Sequence, residues 1–184
     1  MTRLPPFPQA VDDGGGDHLT PGMRLPAIAL PATDGGTIAL AAIEGRCLVI
    51  VYPWTGRSGL PNPPDWDSIP GAHGSTPELE GFRDRFADFA ALGLRLFGLS
   101  RQATVYQREL VMRLALPFPL LSDADGAFGA ALCLPAFATG GTTYLKRLTL
   151  LIADGRIERV FYPVIDPAAH AAEVLRMLEK RQER

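Results

Sequence analysis

Two short runs constrain this chain more than anything else in it. Cys47-Leu48-Val49-Ile50-Val51-Tyr52 and Leu94-Arg95-Leu96-Phe97-Gly98-Leu99-Ser100 are close to continuously apolar. They are also rich in β-branched and aromatic residues. A strand with one wet face alternates polar and apolar side chains, whereas a continuous run suits a strand covered on both faces. Between the two runs, Leu79, Phe82, Phe86 and Phe89 recur at helical spacing, and Gly93 closes the pattern. Strand, helix and strand in that order form a parallel crossover.

The rest of the chain extends the pattern. Gly22 to Leu30 reads as extended, broken by Pro26, and Asp34-Gly35-Gly36 turns the chain into a short strand, Thr37 to Leu40. Thr104 to Leu114 reads as a helix, Leu116 to Leu121 as extended, and Asp125 to Leu132 as a short helix. Arg147 to Ala153 and Ile157 to Tyr162 flank Asp154-Gly155, a hairpin signal. Pro167 to Arg184 is a terminal helix with Ala171, Val174, Leu175 and Leu178 on one stripe. Parallel crossovers followed by an antiparallel hairpin give an α/β protein with a mixed central sheet and helices on both faces. The 184 residues fit one domain, residues 21–184, behind a leader at 1–20. That leader holds prolines and Gly14-Gly15-Gly16 and reads as flexible.

Composition excludes several classes. The net charge of −2 makes no electrostatic case for nucleic acid or an anionic membrane. No apolar run reaches the roughly 20 residues needed to cross a bilayer. The first twenty residues lack a basic stretch followed by an apolar one, so no secretory signal is read and a cytoplasmic protein is expected. Two cysteines, Cys47 and Cys133, make no disulfide framework. The three histidines are scattered, and neither a metal nor another cofactor is expected.

Trp54 to Gly74 is the irregular part: a long loop rich in Gly and Pro, with Pro61-Asn62-Pro63-Pro64 inside it. Loops of this length in compact domains are usually functional or mobile. A helix start follows. Thr76 can cap, Pro77 suits the first helical position, and Ser75 with Glu78 spells a capping box.

Taken together these pieces resemble a peroxiredoxin, a thiol peroxidase of the redoxin superfamily on the thioredoxin-like plan. The resemblance covers almost all of the chain after the leader. It is carried by Val51-Tyr52-Pro53 at the end of the first core strand and by Gly74-Ser75-Thr76-Pro77-Glu78 with Gly81-Phe82-Arg83-Asp84. Phe97-Gly98-Leu99-Ser100, Leu116 to Asp123, and Leu145-Lys146-Arg147-Leu148-Thr149 with Asp154-Gly155 extend it. These stretches are similar to the bacterioferritin-comigratory and atypical two-cysteine branches.

The resemblance places the peroxide-reducing cysteine at position 75, where this chain has serine. It implies that Arg147 lowers the nucleophile's pKa and binds peroxide oxygens, and that Pro53, Thr55, Gly74 and Thr76 shape the site. In such a cycle a thiolate attacks the O–O bond of hydrogen peroxide or an organic hydroperoxide. The sulfur leaves as sulfenic acid and an external thiol such as thioredoxin, glutaredoxin or glutathione reduces it back. A serine hydroxyl stays protonated near neutral pH and cannot be oxidised in this way, so the Ser75 form is expected to be inactive. Two origins remain open at this level: an introduced Cys-to-Ser change, or a natural non-catalytic binding or regulatory relative. The family signature also has threonine three residues before the cysteine, and here that residue is Ala72. Thr55 is expected to take the threonine's place in space, with the intervening residues looped out; the alternative is that Pro70-Gly71-Ala72 shapes the loop instead.

Cys47, opening a core strand, reads as a buried inert thiol. Cys133 reads either as a resolving thiol or as a half-buried structural one. The usual helical position for a resolving cysteine, five after the nucleophile, is Glu80. Family resemblance alone implies a homodimer, to which the apolar segment Leu132 to Phe137 would contribute.

Overall fold

The computed structural model describes residues 7–182. At its centre is a five-stranded mixed sheet. The two apolar runs are its middle: β3 (Arg46–Val51) and β4 (Leu94–Ser100) pair in parallel, from Arg46 opposite Leu94 to Val51 opposite Leu99. The short strand β5 (Leu120–Ser122) adds in parallel to β4. On the other side β8 (Leu148–Ala153) runs antiparallel to β3, and β9 (Arg156–Phe161) antiparallel to β8. This is the thioredoxin-like arrangement.

Side-chain alternation along β3 explains why the run is apolar throughout. Cys47, Val49 and Val51 enter one core, while Leu48 and Ile50 enter the other. The two faces are covered differently. Leu79 and Phe82 of α1 (Ser75–Asp84), Phe89 of α2 (Phe86–Ala91), Leu110 of α3 (Thr104–Leu114) and Val174 of α5 (Pro167–Gln182) fill the second core. The first core is closed by Phe128 of the short α4 (Ala127–Ala131) and by the hairpin of β1 (Ala29–Pro31) and β2 (Thr37–Ala39). Helices do lie on both faces, but four of the five share one.

Several elements differ from the sequence reading. The extended stretch before Asp34 contributes only β1, and Leu116 to Leu121 contributes only the end that becomes β5. The expected single helix after Gly74 is two, broken at Arg85 (φ −109°, ψ 14°), with Phe82 and Phe89 stacking across the break at 5.4 Å between ring centres. A hairpin went unread: β6 (Ala136–Thr139) and β7 (Thr142–Leu145) pair around Gly140-Gly141. Leu132 and Leu134 are buried in the first core, which removes them from the surface expected to serve a dimer.

The expected flexible leader is tied down wherever it is described; residues 1–6 lie outside the described residues. Asp13 pairs with Lys146 and accepts the Tyr162 hydroxyl, His18 Nε2 meets the Leu132 carbonyl at 2.8 Å, and Leu19 is buried in the first core. Further upstream, Gly71 N–H donates to the Pro8 carbonyl, and Phe7 stacks on His73 with ring centres 3.6 Å apart.

Candidate active site

The site forms where α1 begins. Gly74, not Thr76, is the N-cap, with φ +107°. A Cβ there would lie 2.6 Å from Cγ of Pro167, the first residue of α5, so the position is restricted to glycine twice over. Ser75 is therefore already helical, and the capping box is overturned: no side chain caps this helix. The reason is a partner the local sequence does not contain. Arg147, which immediately precedes β8, reaches Ser75 and Glu78 together.

Arg147 is 3% exposed, Ser75 3% and Glu78 0%. Nη2 of Arg147 donates to Ser75 Oγ at 3.1 Å and to the His73 carbonyl at 3.2 Å, while Nη1 binds Glu78 Oε2. Burying a carboxylate without a counter-charge is costly, and here the guanidinium supplies one. Burial pushes the Glu78 carboxyl up to about 7, with Arg147 opposing the rise. Around a thiolate in place of Ser75 Oγ, the same guanidinium would be a stabilising donor. Pro77 has no N–H to offer the first turn.

Beside Ser75 is an open cavity of about 220 Å³ whose lining includes Thr55, Gly74, Ser75 and Thr76. Nineteen residues lie between Thr55 and Ser75 in sequence, yet both line this space. Thr55 is 2% exposed and held from two sides. Its N–H and hydroxyl donate to Gln102 Oε1, and its carbonyl accepts from Gln102 Nε2 at 3.1 Å and from Tyr106 of α3 at 3.0 Å. Gln102 was missed by sequence reasoning; it follows β4 in a stretch with no motif to mark it. The intervening loop is packed as well. Trp66 lies against Trp54 (5.3 Å between ring centres), Phe137 and Tyr144, so the β6–β7 hairpin is its support.

Other candidates lie elsewhere. Pro53 is buried just past β3 and does not line the cavity. Cys47 is fully buried, and burial pushes its thiol up to about 12. Cys133 is exposed rather than half-buried, in a left-handed conformation (φ +50°), and does not line the Ser75 cavity. Below Arg147, His170 of α5 shares a 2.9 Å hydrogen bond with Thr149 Oγ1 and is flanked by Phe82 and Phe161. Burial, then the Arg147 charge, lowers its pKa to about 4, so it is neutral near pH 7.

The fold is thioredoxin-like, and its candidate site gathers a buried arginine against the first turn of α1. The redoxin family model matches residues 20–175. A putative peroxiredoxin of Mycobacterium tuberculosis is 35% identical over 119 residues, covering 61% of this chain and 67% of the relative. The putative peroxiredoxin bcp of Coxiella burnetii is 26% identical over 160 residues, covering 84% and 95%. Among solved structures, the bacterioferritin comigratory protein of Xanthomonas campestris superposes with a TM-score of 0.69 at 23% identity, covering 88% of this chain and 99% of that one. The Xylella fastidiosa PrxQ superposes at 0.72 and 21% identity, covering 90% and 98%. The chain belongs to the redoxin family, as a peroxiredoxin of the bacterioferritin-comigratory type, a family of thiol-dependent peroxidases.

Proposed function

We propose that this protein is the scaffold of a thiol-dependent peroxidase whose nucleophile position is 75, held here by serine. The observation that carries the reading is the 3.1 Å hydrogen bond from Arg147 to Ser75 Oγ at the buried first turn of α1. A sulfur there would have both influences that lower a thiol pKa, a cation and a helix N-terminus. Thr55 lines the same cavity, its hydroxyl donating to Gln102 Oε1. With a thiolate in place, the sulfur takes the terminal oxygen of ROOH and RO⁻ leaves to be protonated to ROH. One external thiol then condenses with the sulfenic acid, releasing water, and a second thiol frees the enzyme as a disulfide forms between the two. The partners on this reading are hydrogen peroxide or an organic hydroperoxide and an external thiol such as thioredoxin, glutaredoxin or glutathione. A cytoplasmic homodimer belongs to the same reading; among the described residues no helix is long and apolar enough to cross a membrane.

Restoring Ser75→Cys and following peroxide consumption with a thiol reductant tests it. Turnover well above that of the Ser75 protein is expected, and turnover at background would overturn it. A second reading is favoured by one observation. Ser75, Arg147, Glu78 and the His73 carbonyl form a connected network that needs no sulfur. A naturally encoded serine would make this a non-catalytic redoxin-fold binding or regulatory protein; an encoded cysteine would mean that serine was introduced. The codon at position 75 separates the two.

A further inference from the structure

Residues 7–13 are fastened at one end beside Ser75 and at the other beside Arg147. At the first end Phe7 stacks on His73, two residues before Ser75, with the ring planes 12° apart. Next to it the Pro8 carbonyl accepts from Gly71 N–H at 3.0 Å. The segment then passes close over Gly71: a Cβ there would lie 2.9 Å from Cβ of Ala10, at a φ of +74°. At the far end Asp13 pairs with Lys146, the residue before Arg147, and accepts the Tyr162 hydroxyl.

The first attachment bears directly on the site. His73 gives its ring to Phe7 and its carbonyl to Arg147 Nη2, at 3.2 Å. The same Nη2 donates to Ser75 Oγ. A shift of residues 71–73 thus moves one of the two acceptors that hold Nη2 beside position 75. Glu78 keeps Nη1, so such a shift displaces the guanidinium without freeing it. The second attachment locates the segment itself, since Lys146 has its own backbone anchor, its N–H donating to the Pro135 carbonyl at 2.7 Å. Both attachments are sparse. Among the described residues, the Pro8 carbonyl is the only backbone group of 7–13 hydrogen-bonded to backbone elsewhere in the chain, and Phe7 and Val11 are exposed. A segment held by few, exposed contacts opens at low cost.

We propose that residues 7–13 are a strap that braces the position-75 site: Phe7 and Pro8 position the 71–73 backbone, and Asp13 holds the strap in place. The bracing is independent of what occupies position 75. Its consequence for a nucleophile there rests on the peroxidase reading.

The test uses the full chain, with Phe7→Ala/Asp13→Ala releasing both ends. In the Ser75 protein, amide hydrogen exchange at Gly71 and Ala72 is expected to quicken at least about tenfold, with the amides of α3 unchanged. Phe7→Tyr, which keeps an aromatic ring for His73, is expected to retain the protection. In a Ser75→Cys/Cys133→Ser background, releasing the strap is expected to raise the midpoint of alkylation by iodoacetamide by about half a pH unit, or about threefold less thiolate at a pH below the midpoint. Exchange at Gly71 and Ala72 that is unchanged, or that quickens equally in α3, would overturn the proposal, as would an unmoved midpoint. A Ser75→Cys protein that reduces no peroxide would count against the peroxidase reading alone, because neither readout involves turnover.

Discussion

The sharpest consequence of the site's geometry is the acidity of a thiol placed at position 75. In Ser75→Cys the sulfur would lie near the present Oγ, 3.1 Å from Arg147 Nη2. At an effective dielectric of about 20, one unit charge at that distance attracts a thiolate by about 5 kcal/mol. Two effects oppose it. Glu78 holds the same guanidinium from Nη1, and the position is buried. Cys47 shows the direction of burial in this protein, its thiol pushed up to about 12 although the Arg95 charge opposes the rise. A net lowering of about 1–3 units from the ordinary value of about 8.5 is what remains. The assay is the pH dependence of alkylation by iodoacetamide in a Cys133→Ser background, which removes the exposed thiol, with Cys47 silent by burial. The midpoint is expected between about pH 5.5 and 7.5, and Arg147→Met should raise it, since only the helix N-terminus then opposes burial. A midpoint at or above about 8.5 with Arg147 in place, or no response to Arg147→Met, would refute the electrostatic account.

Three further outcomes are expected. Arg147→Met strands the Glu78 carboxylate and should cost about 3–5 kcal/mol in urea unfolding, much of it recovered in the Arg147→Met/Glu78→Gln double variant. Gly74→Ala, at φ +107° and facing Pro167, should cost at least about 2 kcal/mol and lower Tm accordingly. His170 has its folded pKa depressed from 6.5 to about 4, so its contribution is present above about pH 6.5 and lost as pH falls toward 4. That loss amounts to about 3 kcal/mol, read as the difference between the parent and His170→Phe across this window. Glu78, whose pKa is raised, has the opposite slope between about pH 4.5 and 7, which is why the variant difference and not the raw profile carries the test.

The core of the fold was legible because its signals are local and dense. The run at 94–100 is β4 residue for residue, and 104–114 is α3, since apolar periodicity and a closing turn coincide there. The β6–β7 hairpin was legible in principle: Gly140-Gly141 sits between Ala136-Phe137-Ala138-Thr139 and Thr142-Thr143-Tyr144-Leu145. It was passed over because its strands are short and largely exposed. The start of α1 misled for a physical reason. Ser75 and Glu78 carry the residue types of a capping box, but Arg147, some seventy residues away, recruits both side chains. Sequence spacing cannot show that competition. Nor could it supply Gln102, whose reciprocal bonds to Thr55 depend on β3 and β4 ending side by side.

The way Thr55 is fastened has a wider consequence. Gln102 and Tyr106 clamp it from the far end of the crossover, while Trp66 moors the following loop to the β6–β7 hairpin. The distance from Thr55 to Ser75 in space is thus set by two anchors that are indifferent to how many residues run between them. Counting along the chain stops being a ruler here. Residues can be added to or removed from the exposed stretch 58–61 with the hydroxyl and the helix start keeping their places, so a motif search that fixes the interval will pass over sites of this shape.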